Sequence, residues 1–362
     1  MTSLAALPSS NTAGALPSDV SEALRAAAPQ EERGERPISR SIDLLRHAGF
    51  LTDDGGTDPA RTARRLMQVG AANLGVGRLF EGHVNALQLV RLHGTEVQKA
   101  RVDRRIAGGA LLGVWGADGK MPVTLDDMGK HLQGSKCFAS GLGTVTHALV
   151  TMDSGPKVRL ALVDVTDPGR SDPSTWEMQG MRATASGTYD FTGRPAEQLE
   201  WIGDPGDYLK EPHFVGGVWR IAALQAGATA GLLDHAATEL RSAGRMGAEA
   251  QKSRLMDVLM RAWAGMALTE RAAEATADRH IAPDNIVATS IAARLFTEEV
   301  GLDAIRAVEQ SIGLRHFEVG SETGRMARDL AVYLRQAAQD AFLQRAAQTA
   351  LGEDGRIWGV FG

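Results

Sequence analysis

Two stretches of helical spacing enclose one of different texture. Between residues 39 and 107, Ile42 and Leu45 share a face and Val84, Leu87 and Val90 repeat every three, with Gly49, Gly55 and Gly94 as breaks. This predicts an N-terminal helical domain over 38–107. From 108 to 206 the apolar residues gather in short runs at 111–115, 147–152, 158–165 and 188–191, separated by Gly, Pro and Asp. That pattern predicts a central β-sandwich or barrel. After Pro212 the helical period returns, with Val287, Ile291 and Leu295 spaced by four and Leu302 and Ile305 by three. Many Ala and Gly positions there let helix axes approach closely, so 207–362 reads as a C-terminal four-helix bundle. Residues 1–37 hold one short helical candidate over 20–28 and few large apolar side chains, and read as a flexible leader. The class is α+β.

Composition narrows the functions. A chain of 362 residues exceeds what one core usually serves, so two or three units are expected. The formal net charge is −5, and no Lys/Arg run interleaved with aromatics follows a phosphate backbone, which argues against nucleic acid. Cys137 is the sole cysteine, so no internal disulfide forms and a reducing, cytoplasmic location is expected. No apolar run reaches the ~20 residues of a membrane span. The nine histidines form no HExxH pair or similar cluster, and no metal is expected. Neither a strand-following GxGxxG nor a GxxxxGK[ST] loop occurs, so nicotinamide and ATP sites are not indicated.

Four segments carry a family resemblance. GSKCFASG at 134–141 resembles the strand of acyl-CoA dehydrogenases whose backbone amides and hydroxyl contact the flavin near N5, with Phe138, Ala139 and Ser140 in those places. QGMRATASGTYDF at 179–191 looks like the family's glycine-methionine-arginine strand, in which Arg182 is a ligand-facing cation or a surface salt-bridge partner. Gly244 and Gln251 are spaced like the glycine and glutamine of a flavin-contacting turn between bundle helices. ETGRMARDL at 322–330 resembles the arginine-x-x-arginine-aspartate element opening the last helix, and Arg325, Arg328 and Asp329 match it. Arg325 and Asp329, four apart, can also pair without any ligand.

The resemblance implies the acyl-CoA dehydrogenase-like fold, FAD as cofactor, a homodimer or homotetramer, an electron-transfer partner, and a small-molecule substrate, acyl-CoA in the commonest case. The family arginine that pairs with the FAD pyrophosphate falls on Leu240, leaving Arg241 and Arg245 as substitutes. An arginine fork suits pyrophosphate because parallel N–H groups meet two anionic oxygens.

The base is missing. α,β-Dehydrogenation needs a carboxylate opposite the flavin, and the usual glutamate position falls on Gln336, whose amide cannot take a proton. The alternative position, just before an arginine matching Arg220, is Trp219. Three readings follow. The base has moved, with His83 beside Glu81, or Asp340 one turn beyond Gln336, as candidates. The protein is a flavin-dependent monooxygenase or oxidase on the same fold, which needs no such base. Or it is an accessory subunit that retains the fold alone. The retained flavin strand favours dehydrogenase-like activity. Finally, the aromatic-rich stretch 208–220, including Phe214 and Trp219, lies where the β unit meets the bundle and is expected to border the pocket with Arg220.

Overall fold

The computed structural model describes residues 14–53, 55–153, 155–335 and 338–361. Helices α1 (Ser18–Glu32), α2 (Ser39–His47), α3 (Pro59–Ala72), α4 (Leu74–His93) and α5 (Glu96–Ala107) come first. Local chemistry starts the last three: Asp58 accepts from Arg61 N ahead of Pro59, Asn73 accepts from Val76 N, and Thr95 with Gln98 forms a capping box.

Helix α1 corrects the expectation of a free leader. Leu24, Ala27, Ala28 and Glu31 fall at i, i+3, i+4 and i+7 and are buried. The Glu31 carboxylate accepts from Ser41 Oγ at 2.5 Å and Asn73 Nδ2 at 2.8 Å, tying α1 to α2 and the start of α4. Two alanines in the buried face make a weak hydrophobic signal, and only the docking surface completes it.

The middle of the chain forms β1 (Leu112–Trp115), β2 (Thr124–Leu125), β3 (Leu132–Gln133), β4 (Ser135–Lys136), β5 (His147–Met152), β6 (Arg159–Asp164), β7 (Ser171–Asp172), β8 (Thr188–Asp190) and β9 (Glu200–Ile202). One sheet has the order β1-β5-β6-β9, with β1 and β5 parallel, and another β4-β8-β7. The sheets face each other through Trp115 and Tyr189, whose rings are 5.4 Å apart. In β5, Ala148 and Val150 face that interior while Leu149 packs with Leu87 and Val90 of α4. Both faces of the strand are therefore covered, which explains its continuous apolar run.

Helices α6 (Trp219–Ser242), α7 (Glu249–Ala275), α8 (Pro283–Ile312), α9 (Glu322–Leu334) and α10 (Gln339–Leu351) complete the chain. Of the four bundle helices expected, three are long, α6, α7 and α8, while α9 and α10 are short and pack against them. Helix α6 also lies against α3 so closely that a Cβ at Gly227 would sit 2.1 Å from Met67 O. Only glycine permits that approach. Among the described residues no helix is long and apolar enough to cross a membrane.

Candidate active site

A cavity of about 730 Å³ lies between the β unit, α4 and α9. That size suits a small ligand or cofactor. The β unit supplies Phe138, Ser140, Trp176, Met178, Met181, Thr184 and Ser186, while α4 supplies Arg78. Helix α9 and the residue after it supply Arg328, Ala331, Val332, Tyr333 and Arg335.

The β wall is held by hydrogen bonds. Trp115 Nε1 donates to Ser140 O at 3.1 Å, and Trp176 Nε1 to Met181 O at 3.1 Å. Thr184 Oγ1 donates to Met181 O at 2.7 Å and lies 2.8 Å from Ser186 Oγ. Ser186 Oγ lies 3.1 Å from Ser140 Oγ, so the three hydroxyls form one chain that ends at the cavity. The rings of Phe138 and Trp176 meet edge-on at 6.3 Å. Phe138, Met181 and Ala185 all have positive φ, at 51°, 58° and 43°. Such strain in side-chain-bearing residues persists only where surroundings enforce it and gathers at functional sites.

Two carboxylates, the buried Asp329 and the half-buried Glu32, supply part of that enforcement. Asp329 Oδ1 accepts from Met181 N at 2.7 Å, and Oδ2 from Arg325 at 2.7 Å. Glu32 of α1 accepts from Ala183 N at 3.0 Å. Burial, then the nearby Asp329 charge, push the Glu32 carboxyl up to about 7. Burial also raises Asp329. The Arg325–Asp329 pair expected from the sequence is present, and Asp329 additionally anchors a cavity wall.

The flavin-strand expectation places Phe138 and Ser140 on the cavity. Ala139 differs: it is fully buried and its N–H donates to Gly187 O at 2.9 Å, so that amide is spent within the chain.

Other candidate residues stand away from this cavity. His83 is fully buried, Nε2 lies 2.7 Å from Leu51 O, and Nδ1 accepts from Leu112 N at 3.0 Å. Burial lowers its pKa to about 4. It joins α4 to β1 and faces no cavity. Asp340 is exposed at the start of α10, away from the lining residues. Gln336 lies outside the described residues.

Trp219 is fully buried, as is Arg220, which donates to Gln88 at 2.6 Å and Asn85 at 2.8 Å and lies 3.8 Å from Glu81. Both are packing residues that join α6 to α4, and neither lines the cavity. Phe214 packs edge-on against Tyr208 at 5.0 Å. Arg182 is exposed and also lies off the cavity.

Arg241 bonds Thr238 on its own helix. Arg245 donates to Ser311 O at 3.0 Å and Gln251 reaches the same carbonyl at 3.5 Å, so both cover the C-terminal end of α8. None of the three lines the cavity of its own chain. Leu240, at the pyrophosphate-arginine position, is fully buried.

Arg78, Trp176, Arg328 and Arg335 were not singled out as site residues from the sequence. A signal existed for two of them: Arg328, Ala331, Val332 and Arg335 fall at i, i+3, i+4 and i+7 on one stripe.

No protein-family model matches the chain. Dibenzothiophene monooxygenase of Rhodococcus qingshengii is 24% identical over 215 residues, 52% of this chain and 51% of that one. The chain thus aligns with about half the length of the curated relatives it matches. The crystal structure of the dibenzothiophene monooxygenase TdsC from Paenibacillus sp. A11-2 with FMN and indole superposes with a TM-score of 0.79 at 18% identity, covering 95% of this chain and 98% of that one. KijD3 in complex with FMN and a dTDP-sugar gives 0.77 at 19% identity, covering 92% and 91%. The fold is the acyl-CoA dehydrogenase-like one.

Proposed function

We propose that the protein is a flavin-dependent monooxygenase acting on a small, largely apolar molecule, in place of the α,β-dehydrogenation that the flavin strand first favoured. The observation that carries this is the cavity lining: hydroxyls, aromatics, methionines and arginines, with no carboxylate or imidazole among the described lining residues. Abstraction of an α-proton calls for such a group within reach. Oxygenation by a reduced flavin does not.

The residues fit a flavin. Ser140 brings a hydroxyl to the cavity, and its N–H has no backbone acceptor among the described residues. Phe138, Trp176 and Met181 offer apolar and aromatic contact to a planar ring. A buried Leu240 where FAD-binding relatives place an arginine supports FMN over FAD. A flavin bound there would supply reducing equivalents and activated oxygen. The protein's share is to orient the ring through Ser140, to exclude water with Trp176 and Met178, and to hold Met181 in place through Asp329. Tyr333 lines the same space; burial raises its phenol, so it remains a neutral donor near neutral pH. The fold neighbours bound to FMN, one with indole, agree with this reading.

The test combines the purified chain, reduced FMN, isotopically heavy oxygen and a panel of heteroaromatics including indole and dibenzothiophene. One heavy oxygen atom in a product supports the proposal. Anaerobic bleaching of bound flavin by an acyl-CoA would return the assignment to dehydrogenation.

A further inference from the structure

Three arginines reach the cavity and take no part in the proposed oxygenation. Arg328, Ala331, Val332 and Arg335 form one stripe of α9 and its continuation, so two guanidinium groups stand two turns apart with an apolar floor between them. Arg78 reaches the same space from α4. Compensation is uneven. Arg78 bonds Glu81 at 2.6 Å, and Arg335 lies 3.7 Å from Glu298. For Arg328 no carboxylate stands within ion-pair distance among the described residues, and its side chain is exposed. The chain as a whole is negative, at −5, yet this wall presents three cations. A concave, one-signed rim on low-dielectric walls concentrates the opposite charge. Guanidinium forks match phosphoryl oxygens in geometry.

We infer that Arg328 and Arg335, with Arg78, bind a phosphoryl group of the ligand whose ring occupies the Phe138–Trp176–Met181 wall. The occupant is an amphiphile: a flat apolar part against the β unit and a phosphate at the arginine rim. Two sources share that chemistry, the phosphate of the flavin and a phosphoryl group on the substrate. The inference rests on the flavin reading for the choice of ring, while the anion-binding part stands on the cavity alone.

Calorimetric titration of the full-length chain with FMN, riboflavin and inorganic pyrophosphate tests it, using wild type and the Arg328→Gln/Arg335→Gln double variant. Wild type is expected to bind pyrophosphate more weakly as salt rises, and the double variant to lose about tenfold to a hundredfold in affinity for the phosphorylated probe. If the variant loses FMN affinity but keeps riboflavin affinity, the flavin supplies the phosphate. If both flavins bind unchanged and pyrophosphate binding to the FMN-loaded protein is lost, the substrate supplies it. Either result upholds the site. Pyrophosphate and FMN affinities that match between wild type and variant, or no pyrophosphate binding to wild type, overturn it. Arginine-dependent pyrophosphate binding by a chain that takes up no flavin would remove the flavin reading and leave the anion site standing. Should the double variant melt early, Arg328→Gln alone carries the test, with about a tenfold loss expected.

Discussion

The backbone N–H of Met181 donates to the Asp329 carboxylate at 2.7 Å, across 148 positions of sequence. Asp329 is also paired with Arg325 and is almost fully buried. Gly180 makes this contact feasible, because a Cβ there would stand 2.5 Å from Arg328 O. The bond fixes a residue at φ 58° and sets the distance between the β wall and the arginine stripe.

Replacing Asp329 by Ala therefore strands a buried amide and an arginine together. A loss of about 3–5 kcal/mol in stability is expected, together with weakened flavin uptake. Thermal melting and a flavin titration measure the two effects. A variant with unchanged melting and flavin affinity would show that the bond holds nothing.

Glu32 gives a pH signature. Its carboxyl is raised from 4.5 to about 7 by burial and by Asp329, so the folded state holds its proton more tightly than the unfolded chain. The stability from that proton is complete below pH 4.5 and is lost as pH rises through about 7. His83 works in the opposite sense: lowered to about 4, it costs stability as pH falls below its ordinary 6.5. The Glu32→Gln variant isolates the first effect. Its melting temperature is expected to exceed the wild type's by a growing margin as pH climbs from 5 to 8, read by circular dichroism. A constant margin would reject the shift.

His83 is a structural residue. His83→Ala removes the acceptor for Leu112 N and opens a buried cavity, at an expected cost of about 2–4 kcal/mol. In the variant that remains folded at low temperature, flavin affinity and oxygenation rate per bound flavin are expected to stay within about twofold of wild type. A selective loss of turnover with intact flavin binding would restore His83 as a catalytic group.

Ser140 is the hydroxyl at the end of the Thr184–Ser186 chain. Ser140→Ala should weaken flavin binding about twofold to tenfold, the size of one neutral hydrogen bond. Fluorescence quenching of added FMN measures it. Ser186→Ala, one step back, is expected to have a smaller effect, and a reversed order would place the contact on Ser186.

Much of the architecture was legible along the chain because local periodicity carries it. The spacing of Val287, Ile291 and Leu295 and the apolar runs at 147–152 and 158–165 each correspond to observed elements, α8, β5 and β6. Phe138 and Ser140 reach the cavity from the turn that follows β4, so the expected strand ends before them while the short glycine-bounded segment still keeps them together. Helix α1 was missed as a packed element because alanines bury little area each.

Tertiary structure decided the rest. Whether an imidazole meets a ligand or a carbonyl depends on neighbours far away in sequence: His83 lies 32 positions from Leu51 and 29 from Leu112. Trp219 and Arg220 looked like pocket residues, and burial against α4 makes them core. The arginine stripe reads in sequence as one helix face among many and lines a cavity only because the 179–186 segment folds back opposite it. The sequence by itself determined which elements form, since their hydrogen bonds and side-chain periods are local. Which of their faces enclose a cavity, and hence which residues do chemistry, was decided by long-range packing.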